Sequence, residues 1–165
     1  MAKLFVITGP AGVGKSTVTK ALAERLSKCA ILEGDEIYHQ VYGAEKPWAD
    51  GNHLPLMWKN IICLANNYLE DNIDVVLNYI IYKDKLELIK EKFSKYEIHF
   101  VCLMAERETV EEREIARGEE FKVGRVDTHI SKFLSQGYDE KHFLKTDKKS
   151  VSQEVDEIVS GVFKI

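Results

Sequence analysis

The chain has 165 residues, of which 45% are apolar, and that suits one domain spanning residues 1–165 with a substantial core and no space for a second of ordinary size. A formal charge of −4 without any basic run interleaved with aromatics argues against nucleic acid as a partner. With no charged-then-apolar leader and no apolar stretch near the roughly 20 residues a membrane span needs, a cytoplasmic protein without a membrane partner is expected.

Lys3–Thr8 is a short, β-branched apolar run fit for a buried parallel strand. Residues 9–16 read Gly-Pro-Ala-Gly-Val-Gly-Lys-Ser, a full match to G-x-x-x-x-G-K-[ST], and Val18, Leu22 and Leu26 follow at helical spacing. Cys29–Glu33 predicts a second strand, with Gly34-Asp35 directly after it. Trp58, Ile61, Ile62, Ala65, Tyr68 and Leu69 share a helical face, and Ile73–Leu77 predicts a third strand. Leu86, Ile89 and Phe93 mark another helix, Ile98–Leu103 a fourth strand, and Glu106–Arg117 a highly charged helix. The polar stretch Gly118–Asp127 precedes a helix carrying Ile130, Phe133 and Leu134 and a short strand near His142–Thr146. Ser150 and Gln153 form a capping box for a last helix, with Val151, Val155, Ile158, Val159 and Val162 on one face. Cys29, Cys63 and Cys102 lie in apolar surroundings without metal spacing and are expected to be reduced core residues.

Continuous apolar strands separated by helices predict an α/β, doubly wound, five-stranded parallel sheet with helices on both faces. Ligands bind such sheets beyond the carboxyl ends of the strands, so the residues following each strand carry the functional expectation. Gly9, Pro10, Ala11, Gly12, Val13, Gly14, Lys15, Ser16 and Thr17 form the expected nucleotide-binding set. The glycines let successive N–H groups point at phosphate oxygens, Lys15 reaches the β- and γ-phosphates, and the Ser16 hydroxyl ligates Mg2+.

Asp35 is a candidate base for an acceptor hydroxyl or a positioner of Mg2+; as a bland alternative it caps the following helix. Arg113 and Arg117 lie four apart on one helical face, a like-charge spacing that is offset either by neighbouring glutamates or by a triphosphate onto which both guanidinia turn. Arg125, beside Gly124, is the expected mobile member of this set in a lid over about residues 118–128. Between the second strand and the long helix, His39 and Trp48 are expected to face the acceptor, whereas Trp58 fits a core position. The third strand ends in Asn78, another expected acceptor-side residue, where many phosphate-loop enzymes place an acid for the metal. Asp147, after the last strand, either borders the nucleotide base or serves only as a turn residue.

The phosphate loop, Gly34-Asp35, the Arg113/Arg117 pair and the terminal strand and helix resemble the compact P-loop kinases of the gluconate kinase, shikimate kinase and chloramphenicol phosphotransferase group. The resemblance implies a five-stranded parallel core, ATP with Mg2+, a carboxylate after the second strand near the acceptor hydroxyl, and arginines in a lid. The expected activity is transfer of the γ-phosphoryl group to a hydroxyl of a small polar molecule. Two alternatives are a nucleotide-binding regulatory module without kinase activity and a polynucleotide 5′-kinase, the latter opposed by the acidic charge balance.

Overall fold

The computed structural model describes residues 1–26, 28–116 and 125–165, excluding the side chains of Glu114 and Arg125. Its strands are β1 (Lys3–Thr8), β2 (Cys29–Glu33), β3 (Asp74–Asn78), β4 (Glu97–Met104) and β5 (Phe143–Lys145). They pair in the order β2-β3-β1-β4-β5, and every pair is parallel. The helices are α1 (Lys15–Leu26), α2 (Gly34–His39), α3 (Leu54–Glu70), α4 (Lys83–Lys92), α5 (Arg107–Ala116), α6 (Arg125–Leu134) and α7 (Val151–Val159).

Side chains of a strand alternate between sheet faces, and β1 shows why both faces must be covered. Leu4 and Val6 join a cluster with Met57, Ile61 and Ala65 of α3 and Leu86 and Ile89 of α4. Phe5 and Ile7 point the other way, into a cluster with Val18 and Leu22 of α1 and Val155 and Ile158 of α7. All four β1 residues are 0–1% exposed, so each side chain contributes roughly 1.5–3 kcal/mol by leaving water. The doubly wound expectation therefore holds.

Ser150 and Gln153 form the expected capping box at the start of α7. Trp58 is core, at 6% exposure. Three local expectations need correction. Asp35 is no helix cap: α2 begins at Gly34, its cap position is Glu33, and Asp35 lies inside the first turn. Of the three cysteines expected in the core only Cys102 is buried: Cys29 is half-buried, and Cys63 is exposed because it points off the apolar stripe of α3. Val162 lies past the end of α7 and is also exposed, so it does not extend that helix's apolar face. Residues 118–124 of the expected lid lie outside the described residues, and 125–128 are the first turn of α6.

Candidate active site at the carboxyl edge of the sheet

The loop between β1 and α1 stands where a polyanion would meet a helix amino terminus. Gly12 and Gly14 take positive φ of 80° and 103°, which L side chains adopt only with strain, and so turn the backbone amides inward. The first turn of α1 contains no acidic residue, leaving the positive end of its dipole uncompensated there. Lys15 Nζ donates to the carbonyls of Gly9 at 3.0 Å and Pro10 at 2.8 Å. The ammonium is thereby held over the loop.

Next to this loop lies a group of oxygens that no spacing in the sequence reveals. Parallel pairing sets Glu33, the last residue of β2, beside Asn78, the last residue of β3. Asn78 Nδ2 donates to Glu33 Oε2 at 2.6 Å and, at a long 3.4 Å, to Ser16 Oγ. Asn78 Oδ1 is buried with no hydrogen-bond partner among the described residues. Burial pushes the Glu33 carboxyl above its ordinary range, helped by the charges of Glu36 and Asp35 and opposed by the Asn78 bond and by Lys15. A hydroxyl, an orphaned amide oxygen and a carboxylate form the hard-oxygen donor set that suits Mg2+ shared with phosphates. Among the described residues no cluster of three His, Cys, Asp or Glu offers a self-sufficient metal cage.

Asp35 is exposed in the first turn of α2, and His39 Nδ1 lies 2.7 Å from the Asp35 carbonyl oxygen. The start of α2 is pinned from the β3 side: a Cβ on Gly34 would stand 2.4 Å from the Tyr79 ring, so only glycine permits this approach. Burial, then the charge of Asp35, pushes the Tyr79 phenol up to about 12. Beyond Tyr79 the chain is fixed by Ile81 N donating to Thr8 Oγ1 at 2.8 Å. Trp48 lies in the connection between α2 and α3, 81% exposed, with the Lys46 ammonium 5.5 Å from its ring centre. Asp35 and Asn78 therefore flank the loop region through Glu33, Gly34 and Tyr79, while Trp48 stands out in solvent.

Arg113 is held on the flank of the phosphate loop. Its Nη1 donates to the Val13 carbonyl at 3.1 Å and to Thr146 Oγ1 at 3.2 Å, and its Nη2 donates to the Thr146 carbonyl at 3.2 Å. Thr146 Oγ1 also donates to the Val13 carbonyl, at 2.9 Å. A 290 Å³ cleft opens here, lined among others by Gly14, Thr17, Arg113, Thr146, Lys149 and Glu154. Glu154 is 3% exposed, and its burial pushes the carboxyl up to about 7 despite the charges of Arg113 and Lys149. Asp147 Oδ1, just after Thr146, is buried and lacks a hydrogen-bond partner among the described residues. Arg117 and the Arg125 side chain lie outside the described residues. Sequence reasoning missed Glu33 and Glu154 as site residues, although Glu33 stands at the carboxyl end of β2; Thr146 falls in the expected set that follows the last strand.

With this geometry in place, comparison with known proteins gives a consistent frame. A family model described as an AAA domain matches residues 6–132. A guanylate kinase from Prochlorococcus marinus subsp. pastoris is 29% identical, the match covering 100% of this chain and 97% of that protein. Among solved structures, the tunicamycin resistance protein of Deinococcus radiodurans superposes with a TM-score of 0.76 at 20% identity, over 98% of this chain and 96% of its own. A gluconokinase from Sinorhizobium meliloti 1021 does so with a TM-score of 0.66 at 20% identity, over 97% and 91%. The structural likenesses establish the P-loop kinase fold. No helix among the described residues is long and apolar enough to cross a membrane.

Proposed function

Because this chain belongs to the AAA-domain family, we propose, from its site, that it is an ATP-dependent phosphotransferase moving the γ-phosphoryl group to a hydroxyl of a small molecule. The observation that carries the reading is the adjacency of a Lys15-crowned phosphate loop to the Ser16, Asn78 and Glu33 oxygens. ATP supplies the transferable group, and Mg2+ neutralises charge that builds on its oxygens.

The chain's own residues divide the remaining work. Backbone amides from Gly9 to Thr17 cradle the phosphates, and Lys15 exchanges its two carbonyl partners for phosphate oxygens, which it holds more strongly because both partners are charged. Ser16 Oγ would ligate Mg2+, and Asn78 Oδ1 and the Glu33 carboxylate would accept hydrogen bonds from water bound to it. Asp35 takes the proton from the acceptor hydroxyl, or holds Mg2+ through a water, and His39 and Asn78 border the acceptor. Arg113 fixes the Val13 turn and brings its charge to the flank of the phosphate loop, and Asp147 borders the nucleotide base. Trp48, exposed in the connection ahead of α3, reaches the acceptor only if that connection folds inward.

A carboxylate hydrogen-bonded to Asn78 favours transfer over a purely sensing role, since it offers the acid that Asn78 itself lacks. Incubation of purified protein with ATP, Mg2+ and a panel of hydroxyl compounds, read by mass spectrometry, tests the reading. A phosphorylated acceptor is expected, with Asp35→Asn retaining ATP binding and losing at least tenfold in transfer. Nucleotide binding without any phosphorylated product sinks it in favour of a nucleotide-sensing module.

A further inference from the structure

Beyond Tyr79 the wall of the site becomes aromatic. A 560 Å³ cavity opens at the carboxyl end of β3, walled by Leu54, Pro55, Trp58, Tyr79, Ile80 and Tyr82, which is ample for a drug-sized ligand. The Trp58 and Tyr79 rings meet edge to face, with centres 5.9 Å apart at 74°. Trp58 is 6% exposed, so the half-buried Tyr79 and Tyr82 rings form most of the aromatic surface that faces the cavity. The cavity adjoins the reacting centre through one residue. Tyr79 follows Asn78, and its ring lies against Gly34, the neighbour of Asp35.

The charged and amide side chains of the lining already have partners. Lys85 Nζ pairs with Asp84 at 2.9 Å and sits 6.0 Å from the centre of the Trp58 ring. Asn52 Nδ2 donates to the Ala49 carbonyl at 2.8 Å, and Asn52 Oδ1 accepts from Leu54 N at 3.1 Å. An anionic sugar acid entering here would meet the Asp84 carboxylate and would have to share Lys85 with it. A neutral ring loses little by entering and gains apolar contact.

We propose that the acceptor is a neutral hydroxyl compound with a flat, unsaturated ring, held among Trp58, Tyr79 and Tyr82 so that its hydroxyl is presented toward Asp35. The assignment rests on the transfer reading above. The test uses the full wild-type chain for phosphorylation and, for emission, a Trp48→Phe variant that leaves Trp58 as the sole tryptophan. Trp58 emission is titrated with 2-phenylethanol, with uridine and with D-gluconate in the presence of a non-hydrolysable ATP analogue and Mg2+, and product from ATP is followed by mass spectrometry.

Saturable change with either ring compound, together with its phosphorylation, and neither with gluconate, is expected. The two ring arms separate an aryl from a nucleobase source. Tyr82→Ala should weaken ring binding at least tenfold. Pro55→Arg, at the exposed mouth and clear of the core, should weaken it severalfold, which keeps the test valid if Tyr82→Ala does not fold. Phosphorylation of gluconate with no response to either ring compound leaves transfer standing and overturns the ring assignment, as does silence from all three. Ring binding with no phosphorylated product from any compound overturns the transfer reading itself, and the acceptor assignment falls with it.

Discussion

The two ends of the parallel sheet treat their acids in opposite ways. At the amino end, Glu97 is met by Lys3 at 2.8 Å, Lys164 at 2.8 Å and His99 Nε2 at 2.9 Å, and these bonds, that of Lys164 foremost, hold its carboxyl far below the usual range. Lys3 N donates to Asp74 Oδ1 at 2.7 Å at the same edge. At the carboxyl end Glu33 and Glu154 are pushed up by burial, and Asn78 and Asp147 each keep a buried oxygen without a partner among the described residues. A polar group left wanting a partner inside a fold costs stability. Asn78 and Asp147 carry that cost at the edge where the doubly wound topology opens its ligand crevice, while Thr19 Oγ1, His99 Nδ1 and His142 Nδ1 carry it elsewhere in the fold. The amino end spends its charges on holding strands together; the carboxyl end holds its charges in readiness for a ligand.

The contrast is broken most severely by removing the ammonium over the loop. Lys15→Ala should lower phosphoryl transfer on the order of 10³-fold, the scale of losing one preorganised charge-stabilising donor. Calorimetric titration with ATP and Mg2+ should give little heat while the thermal midpoint stays near wild type. Undiminished nucleotide uptake by this variant would mean that the Gly9 and Pro10 carbonyls, and not a phosphate, are the true partners of Lys15.

Glu33→Gln probes the oxygen cluster. Losing the carboxylate that orients Asn78 and the metal's water shell should cost about 10- to 100-fold in transfer, as for outer-shell partners of metal ligands, with ATP affinity in the absence of Mg2+ unchanged. Because burial raises the Glu33 carboxyl, the wild-type rate should climb with pH through a range above that of an ordinary glutamate. This limb should vanish in the glutamine variant. A limb surviving Glu33→Gln would assign the titration to another group.

How legible all this was depends on range along the chain. The five strands, the phosphate loop and the α7 capping box are local patterns, and the structure has them where periodicity and motif place them. Helix α2 has only six residues, too few for a period to register, so Asp35 could be taken for its cap. Glu33 was read as the end of a strand because its partnership with Asn78, 45 residues away, comes from the β2–β3 register. Arg113 could be placed on a helical face, but its bond to the Val13 carbonyl, 100 residues away, depends on how α5 packs against the loop. The aromatic cavity was half visible: Trp58 was assigned to core, which it is, while the meeting of its edge with Tyr79 joins two elements that no motif links. Local physics wrote the frame; cross-strand register wrote the site.

The smallest effects sharpen the comparison by sign. Glu154 binds its proton more tightly folded than unfolded, so its stability penalty sets in above pH 4.5 and is complete near 7. Glu154→Gln should therefore gain thermal stability relative to wild type as pH rises across that window, tempered by the lost attraction to Arg113 and Lys149. Glu97 is the mirror case. Its folded carboxyl is depressed, so its contribution is present above the ordinary glutamate value of 4.5 and is lost as pH falls below it. Its ligands are partly exposed, Lys3 at 41% and Lys164 at 58%, which keeps the loss on Glu97→Gln to about 1 kcal/mol at neutral pH. That corresponds to roughly 2–4 °C in the thermal midpoint of a chain this long. The difference should close in acid, and phosphoryl transfer should be untouched because no Glu97 ligand reaches the other edge of the sheet. Measured together by thermal scans from pH 4 to 8, the two variants should diverge from wild type in opposite directions at pH 8; parallel shifts would mean that the two ends are not electrostatically distinct.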